Sequence, residues 1–467
     1  MLFNSLTFLY FFIVVLAGTY ALREPRRNAW ILACGFAFYA SWSPVYILLL
    51  VATALVDYWV AIRMAALPTK VQRRPWLIGS MIFSLGSLAF FKYTGMAFST
   101  AGVVAGWLGY AWRPPAIQIV LPLGISFYTF ETISYGVDVY RGDLQPKRSF
   151  FQYLSFLMLF PKLIAGPIVR ASELLPQIAA RRGFDEAQLT YAVNVLTLGF
   201  VKKILLADNF APFVERVFAN PHGHNRYMNV VAAFAYSMQV YFDFSAYSDI
   251  AHGCARLLGY DLPKNFNKPY MAVSISDFWR RWHLTLSRWL RDYLYIPLGG
   301  NQGSRFLTYR NLFLTMLLGG LWHGAAWTFV AWGAMNGAFL LIERAWHDWR
   351  GTVPRRDDDM RLLERVLRGA AIFTLITFTR IFFRSPDFAT AVDMIRSIVH
   401  PATREAEYDG AMILLPLVTV AYIALSPLRD RWLRSPVRGW RLAIYAVVAL
   451  VLLVFGAGQA EFIYFQF

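Results

Sequence analysis

An all-α, polytopic membrane protein is what this sequence predicts, on three observations. The 467 residues are 57% hydrophobic and 17% aromatic but only 16% charged, with a mean hydropathy of +0.43, too apolar for a soluble domain. Apolar runs recur from one end of the chain to the other, many of them near the ~20 residues that cross a bilayer. Arginines and lysines gather in the short loops between runs, as the positive-inside bias requires. The same clustering accounts for the net charge of +17, so no nucleic-acid partner is expected. Cys34 and Cys254 lie in or beside apolar stretches and imply no disulfide framework.

In order, the runs fall near 6–21, 28–42, 44–62, 76–91, 97–112, 117–139, 150–168, 187–206, 228–247, 305–319, 325–343, 368–384, 411–427 and 442–458. Some are short or amphipathic, so roughly eleven spanning helices are expected, with others interfacial or re-entrant. The first run, Phe8 to Leu22, lacks a basic leader and a small-residue cleavage site, and reads as a retained helix. Arg23, Arg26 and Arg27 after the first run, and Arg63, Lys70, Arg73 and Arg74 after the third, mark cytoplasmic loops. So do Arg429, Arg431, Arg434, Arg438 and Arg441 before the last run, which sends both termini to the extracytoplasmic side. The polar interval 345–366 reads as a loop with an amphipathic cytoplasmic helix. Without an internal repeat or low-complexity linker, residues 1–467 read as one membrane domain.

Within it, 276–343 is the segment that carries chemistry. His283 and His323 stand at the edges of Trp-rich apolar stretches, where a histidine is costly unless paired or functional. Residues 276–292 read as one helix, with Ser276 as N-cap and Asp277 in the first turn. At about 100° per residue, Trp279, Trp282, Leu286, Trp289, Leu290 and Tyr293 share one face. Arg280, Arg281, Arg288, Arg291 and Asp292 take the other, His283 lying at the border. That is the pattern of an interfacial helix. Residues 305–342 are too long for one crossing, and the natural break is Gly319-Gly320-Leu321-Trp322-His323-Gly324. Irregular backbone at membrane depth must be buried or line a cavity, so His323 is expected to face an internal, partly wet space.

Other motifs carry weaker signals. In FPKLIAGPIVR (160–170), Pro161, Gly166 and Pro167 predict a kink or re-entrant turn, with Lys162 and Arg170 at a cytoplasmic cavity mouth. Asp243 and Asp249 lie in an apolar setting, where pairing with a nearby arginine is at least as good a reading as catalysis. His252 reads as a satisfied polar contact. His222, His224, His347 and His400 fall in polar loops and receive no role, and no metal site is expected. The tail 459–467 ends in FIYFQF, on its own residues an aromatic interface anchor, although Tyr464 offers a hydroxyl able to receive a group. P-loop, dinucleotide, HExxH and GxSxG signatures are absent, which leaves histidine as the candidate general base.

At LPLGISFYTFETISYGVDVYRG, FPKLIAGPIVR, FDFSAYSDIAHGCARLLGYDLPKNFNKPY, SDFWRRWHLTLSRWLRDYLYIPLGGN, GGLWHGAAWTFVAWG and FFRSPDF, the chain resembles the membrane-bound O-acyltransferase (MBOAT) family. The resemblance runs nearly end to end. It is strongest to the bacterial alginate O-acetyltransferase branch, which includes peptidoglycan and cellulose acetylation proteins and, more distantly, teichoic-acid D-alanylation. FWRRWH followed by GLWHG is the specific signal. The resemblance implies that His323 is the invariant catalytic histidine and His283 the second active-site residue. The remaining substrate-binding candidates are Trp279, Arg281, Trp282, Trp322, Asn336 and Asp249. It implies a ring of helices around a central funnel or tunnel. A thioester donor, acetyl-CoA or an acyl-carrier protein, is expected from the cytoplasm, with no bound cofactor. It further implies an exported polysaccharide acceptor, membrane lipid around the ring, and a periplasmic SGNH-type acetyltransferase partner. The tail resembles an acyl-relay motif, which makes Tyr464 a relay candidate.

The expected activity is acetyl transfer across the bacterial inner membrane for O-acetylation of an exported polysaccharide. Two rivals remain at this point: a saccharide or lipid-linked saccharide transporter with a proton-coupled histidine, and a scaffold for a periplasmic acetylase. Acyl consumption separates the first from an acyltransferase, and dispensable histidines would mark the second.

Overall fold

A computed structural model describes residues 1–112, 115, 119–180, 185–353, 360–400, 409–435, 439–455 and 462–463, with backbone only at 440 and 451–455. Every regular element among them is a helix. Four are long and apolar enough to cross a membrane: Val45–Ala66, Lys70–Trp107, Glu186–Ala219 and Leu362–Arg384. A fifth crossing results if Ala411–Ala424 and Ser426–Arg434, bent by 54°, are one span. Shorter apolar helices include Leu6–Ala21, which begins where the first run does. Ser5 caps it, accepting from the Phe8 N–H at 3.0 Å. The described residues form two compact units, 1–192 with 250–263, and 193–249 with 264–467.

In the first unit, the runs 76–91 and 97–112 merge into the single helix Lys70–Trp107. The polar residues between them do not break it, because the Thr94 hydroxyl donates back to the Phe90 carbonyl at 2.6 Å. The expected interruption near Pro161 is present. Phe150–Leu157 stops, Phe160–Leu163 makes one turn, and Ala171–Ala179 resumes after irregular backbone. Lys162 is not at a mouth. It is buried, and its Nζ meets Glu131 Oε2 at 2.5 Å. The other Glu131 oxygen accepts from the Val169 N–H at 3.2 Å. A desolvated ammonium so far from water requires this partner, and Glu131 lies 31 residues earlier, beyond any local pattern. His252 accepts from Arg256 Nε at 3.0 Å, in keeping with its structural reading.

In the second unit, Val201–Ala207 winds as a π-helix that places two consecutive lysines, both buried, against carboxylates. Lys202 meets Asp249 at 2.6 Å, while Lys203 meets Asp243 at 2.8 Å and Asp208 at 2.9 Å. Asp243 therefore pairs with a lysine, not an arginine. Its second oxygen accepts from the Ile463 N–H at 2.8 Å, and Phe462 packs over Lys203 at 4.3 Å. Phe462 and Ile463 are buried, so this part of the tail is held inside the unit and is not an interfacial anchor. Tyr464 lies outside the described residues.

Candidate active site

Two backbone devices in the second unit bring the predicted histidines together. The first concerns 274–295, which is not one helix. Ser274, not Ser276, caps Ile275–Trp279, accepting from the Asp277 N–H at 3.1 Å. Glu343 closes the same end, accepting from the Ile275 N–H at 2.7 Å. The chain then turns, and Leu284–Leu290 begins after His283, whose φ is +43°. The cause is tertiary. The loop before the segment supplies bonds that a continuous helix would make internally. Leu284 N–H donates to the Asn265 carbonyl at 2.9 Å, and Asn267 N–H donates to the Arg281 carbonyl at 2.9 Å. Asn265 also accepts from the Thr285 hydroxyl at 2.7 Å and donates to Ser248 at 3.1 Å. The predicted faces survive the break, with Trp282, Leu286, Trp289 and Leu290 buried and Arg280 and Arg291 exposed.

The second device is a tight hairpin of Arg305–His323 and Trp327–Arg350. Its break lies at Gly324–Ala326, meeting the expected 319–324 stretch only at its last residue. Gly319 and Gly320 are helical, and Gly320 serves close approach. A Cβ there would meet the Phe329 carbonyl oxygen at 2.4 Å and Gly333 Cα at 2.8 Å. At Gly324 a Cβ would enter the Phe329 ring, at 2.1 Å. The hairpin so closed leaves His323 as the last residue of its helix.

The His283 and His323 rings lie with centroids 6.4 Å apart, both buried, at 0% and 5% exposure. Phe244 meets His283 edge-on at 4.7 Å. Trp322, Trp332 and Phe383 surround His323 at 5.0, 5.1 and 5.4 Å. A narrow cleft opens on His323 and is walled by Phe278, Trp282, Trp332, Asn336, Arg380 and Phe383. Asn336 Nδ2 donates to the Trp332 carbonyl at 2.8 Å, while its buried Oδ1 has no hydrogen-bond partner among the described residues. Of the other sequence candidates, Trp279 stands edge-on to Trp332 at 5.9 Å. Arg281 is drawn to Asp277, with Nε 2.9 Å from the carboxylate. Asp249 is engaged by Lys202 and does not line this cleft.

Sequence reasoning missed Arg380. It lies inside the apolar run 368–384, the placement that marks an intramembrane ionisable residue for attention, but no motif singled it out. Asn265 and Glu343 were also missed, because their roles are to hold turns distant in sequence.

This cleft can do proton-transfer chemistry on a substrate held between aromatic walls. The His323 imidazole, a side chain able to act as a general base, borders it. A helical membrane protein with buried paired histidines is the class that fold and site define. Residues 144–384 match the family described as MBOAT, membrane-bound O-acyltransferase family. A probable alginate O-acetylase of Azotobacter vinelandii is 40% identical over 396 residues, 84% of this chain and 76% of that one. A probable alginate O-acetylase of Pseudomonas putida is 35% identical over 504 residues, covering 100% of both chains. The peptidoglycan O-acetyltransferase of Helicobacter pylori is 34% identical over 437 residues, 85% of this chain and 80% of that one. The chain belongs to the membrane-bound O-acyltransferase family, and is a multi-pass membrane acyltransferase.

Proposed function

We propose that this acyltransferase moves an acetyl group from a cytoplasmic thioester, acetyl-CoA or an acyl-carrier protein, across the bacterial inner membrane to O-acetylate an exported polysaccharide. The observation that carries this reading is the pair of buried imidazoles, 6.4 Å apart, on a cleft walled by aromatics. His323 is the general base. It takes the proton of the acceptor hydroxyl as that oxygen attacks the thioester carbonyl, and returns it to the departing thiolate. His283 orients the thioester, Trp282 and Asn336 form part of the substrate wall, and Trp279 and Trp322 pack on Trp332 and His323, while Arg281 and Asp249 are held by Asp277 and Lys202. Relatives named for alginate and peptidoglycan acetylation support a polysaccharide acceptor.

The catalytic segment is 276–343, set in a ring of roughly eleven membrane helices around a funnel. Both termini are extracytoplasmic, which requires an even number of full crossings, so at least one apolar helix is interfacial or re-entrant. The acceptor on that side is Tyr464 as a relay, a serine of an SGNH-type partner, or the sugar itself. Buried Phe462 and Ile463 support a tail directed inward. His323→Ala and His323→Gln, reconstituted in proteoliposomes with labelled acetyl donor, are expected to lose transfer by at least the ~10²–10⁴-fold of a positioned base, while eluting as folded protein. Wild-type transfer by either folded variant would remove the base.

A further inference from the structure

Arg380 is a buried cation on the same cleft as His323. It is 4% exposed, and its Nη1 donates to the Ser237 carbonyl at 3.0 Å and to the Tyr270 hydroxyl. That hydroxyl in turn donates to the Ser237 carbonyl at 2.5 Å, so one edge of the guanidinium is fixed by a closed set of bonds. Its plane is held by aromatics, with Trp282 at 4.3 Å and Tyr270 at 5.4 Å from the guanidinium carbon. Nε and Nη2 donate to nothing, and no carboxylate is within ion-pair range, among the described residues. Lys202 and Lys203, buried in the same unit, each hold a carboxylate instead. A guanidinium taken from water without an anion is costly, and stacking on Trp282 offsets only part of that cost. Its remaining donors belong to a residue that lines the cleft, where an anion would complete the site.

We propose that Arg380 is the oxyanion-stabilising residue of acyl transfer, an inference that rests on the reading of His323 as base. The hydroxyl oxygen forms a bond to the thioester carbon while its proton passes to His323. The carbonyl π pair moves onto oxygen, and that oxyanion takes hydrogen bonds from the free edge of Arg380. When the carbonyl re-forms, the C–S bond breaks, and the thiolate takes the proton from His323. Nothing is oxidised or reduced. The guanidinium is set before the reaction begins, so its full effect falls on the charge that develops in the transition state.

The test is steady-state transfer with the thioester donor varied, for Arg380→Lys, Arg380→Gln and Arg380→Ala in proteoliposomes. Loss of an oxyanion donor predicts a fall of about 10²–10³-fold in kcat, with the donor KM unchanged. Added methylguanidinium should restore kcat in Arg380→Ala and leave His323→Ala inactive. A raised donor KM with kcat retained would overturn the proposal, placing the arginine on ground-state phosphates of the donor. Wild-type kinetics in Arg380→Gln would overturn it as well, leaving a packing role. Should Arg380→Ala fail to fold, Arg380→Lys decides between the same outcomes by the same kcat and KM split. Activity in His323→Ala would instead remove the underlying reading of the base.

Discussion

Replacing Gly320 by alanine tests whether the hairpin's closeness is what places the His323 imidazole, the proposed base. The added Cβ would stand 2.4 Å from the Phe329 carbonyl oxygen and 2.8 Å from Gly333 Cα, against an ordinary contact of 3.4 Å or more. Both neighbours are backbone of the facing helix, so the helices must separate locally by about 1 Å. Alanine gains about 1 kcal/mol of helix propensity over glycine, while overpacking of this kind costs about 1–3 kcal/mol, so the overpacking term equals or exceeds the gain. The larger effect is on chemistry. His323 lies three residues further along the same helix, and a displacement of about 1 Å at a reacting group costs on the order of 10²-fold in rate. Gly319 supplies the control, because a Cβ there would meet only the end of the Leu290 side chain, at 3.2 Å. Acetyl transfer in proteoliposomes and thermal unfolding in detergent are the assays. Gly320→Ala should be strongly impaired in transfer, with a melting temperature at or modestly below that of the wild type, and Gly319→Ala close to wild type in both. Equal transfer rates in the two variants would refute the reasoning.

Two further outcomes follow from buried charge. Lys162→Met strands the Glu131 carboxylate and should cost about 3–5 kcal/mol, read as a large loss of folded protein, with Lys162→Met/Glu131→Leu recovering much of it. Asp243→Ala leaves Lys203 its contact with Asp208 but takes the acceptor from the Ile463 N–H. Losing a bond to a charged group, about 1.5–3 kcal/mol, should free the tail and speed carboxypeptidase trimming by an order of magnitude or more, and unchanged trimming would contradict the docking.

The membrane class was legible because composition is a sum over the whole chain and survives local errors. The break after Leu157 was legible for a different reason, since proline removes a backbone donor whatever surrounds it. Glycine gave no such certainty. Gly319 and Gly320 read as a break because glycine permits turns, yet the structure keeps both in helix, where Gly320 lets two backbones approach. One residue type has two physical uses, and only the neighbour 13 positions on, Gly333, distinguishes them. The proximity of His283 and His323 came from resemblance alone, because no helical or strand period relates residues 40 apart. The turn at His283 was invisible, since its hydrogen-bond partners belong to the loop at 265–267.

That turn separates two roles of His283 which a single alanine variant would confuse. With φ at +43°, the residue occupies the left-handed region that costs an ordinary side chain about 1–2 kcal/mol. Asparagine is among the residues enriched there, and glycine enters it freely. His283→Asn and His283→Gly therefore keep the turn, along with the Leu284 bond to Asn265, while removing the imidazole. If the ring orients the thioester, both should fold like the wild type and lose transfer, with the loss in kcat or donor KM, whereas His283→Ala should add a loss of stability. If the backbone alone matters, His283→Asn will transfer at the wild-type rate and only His283→Ala will suffer. The Phe244 contact at 4.7 Å argues for the ring, since an edge-on aromatic fixes the imidazole's plane and a purely structural turn needs no such restraint.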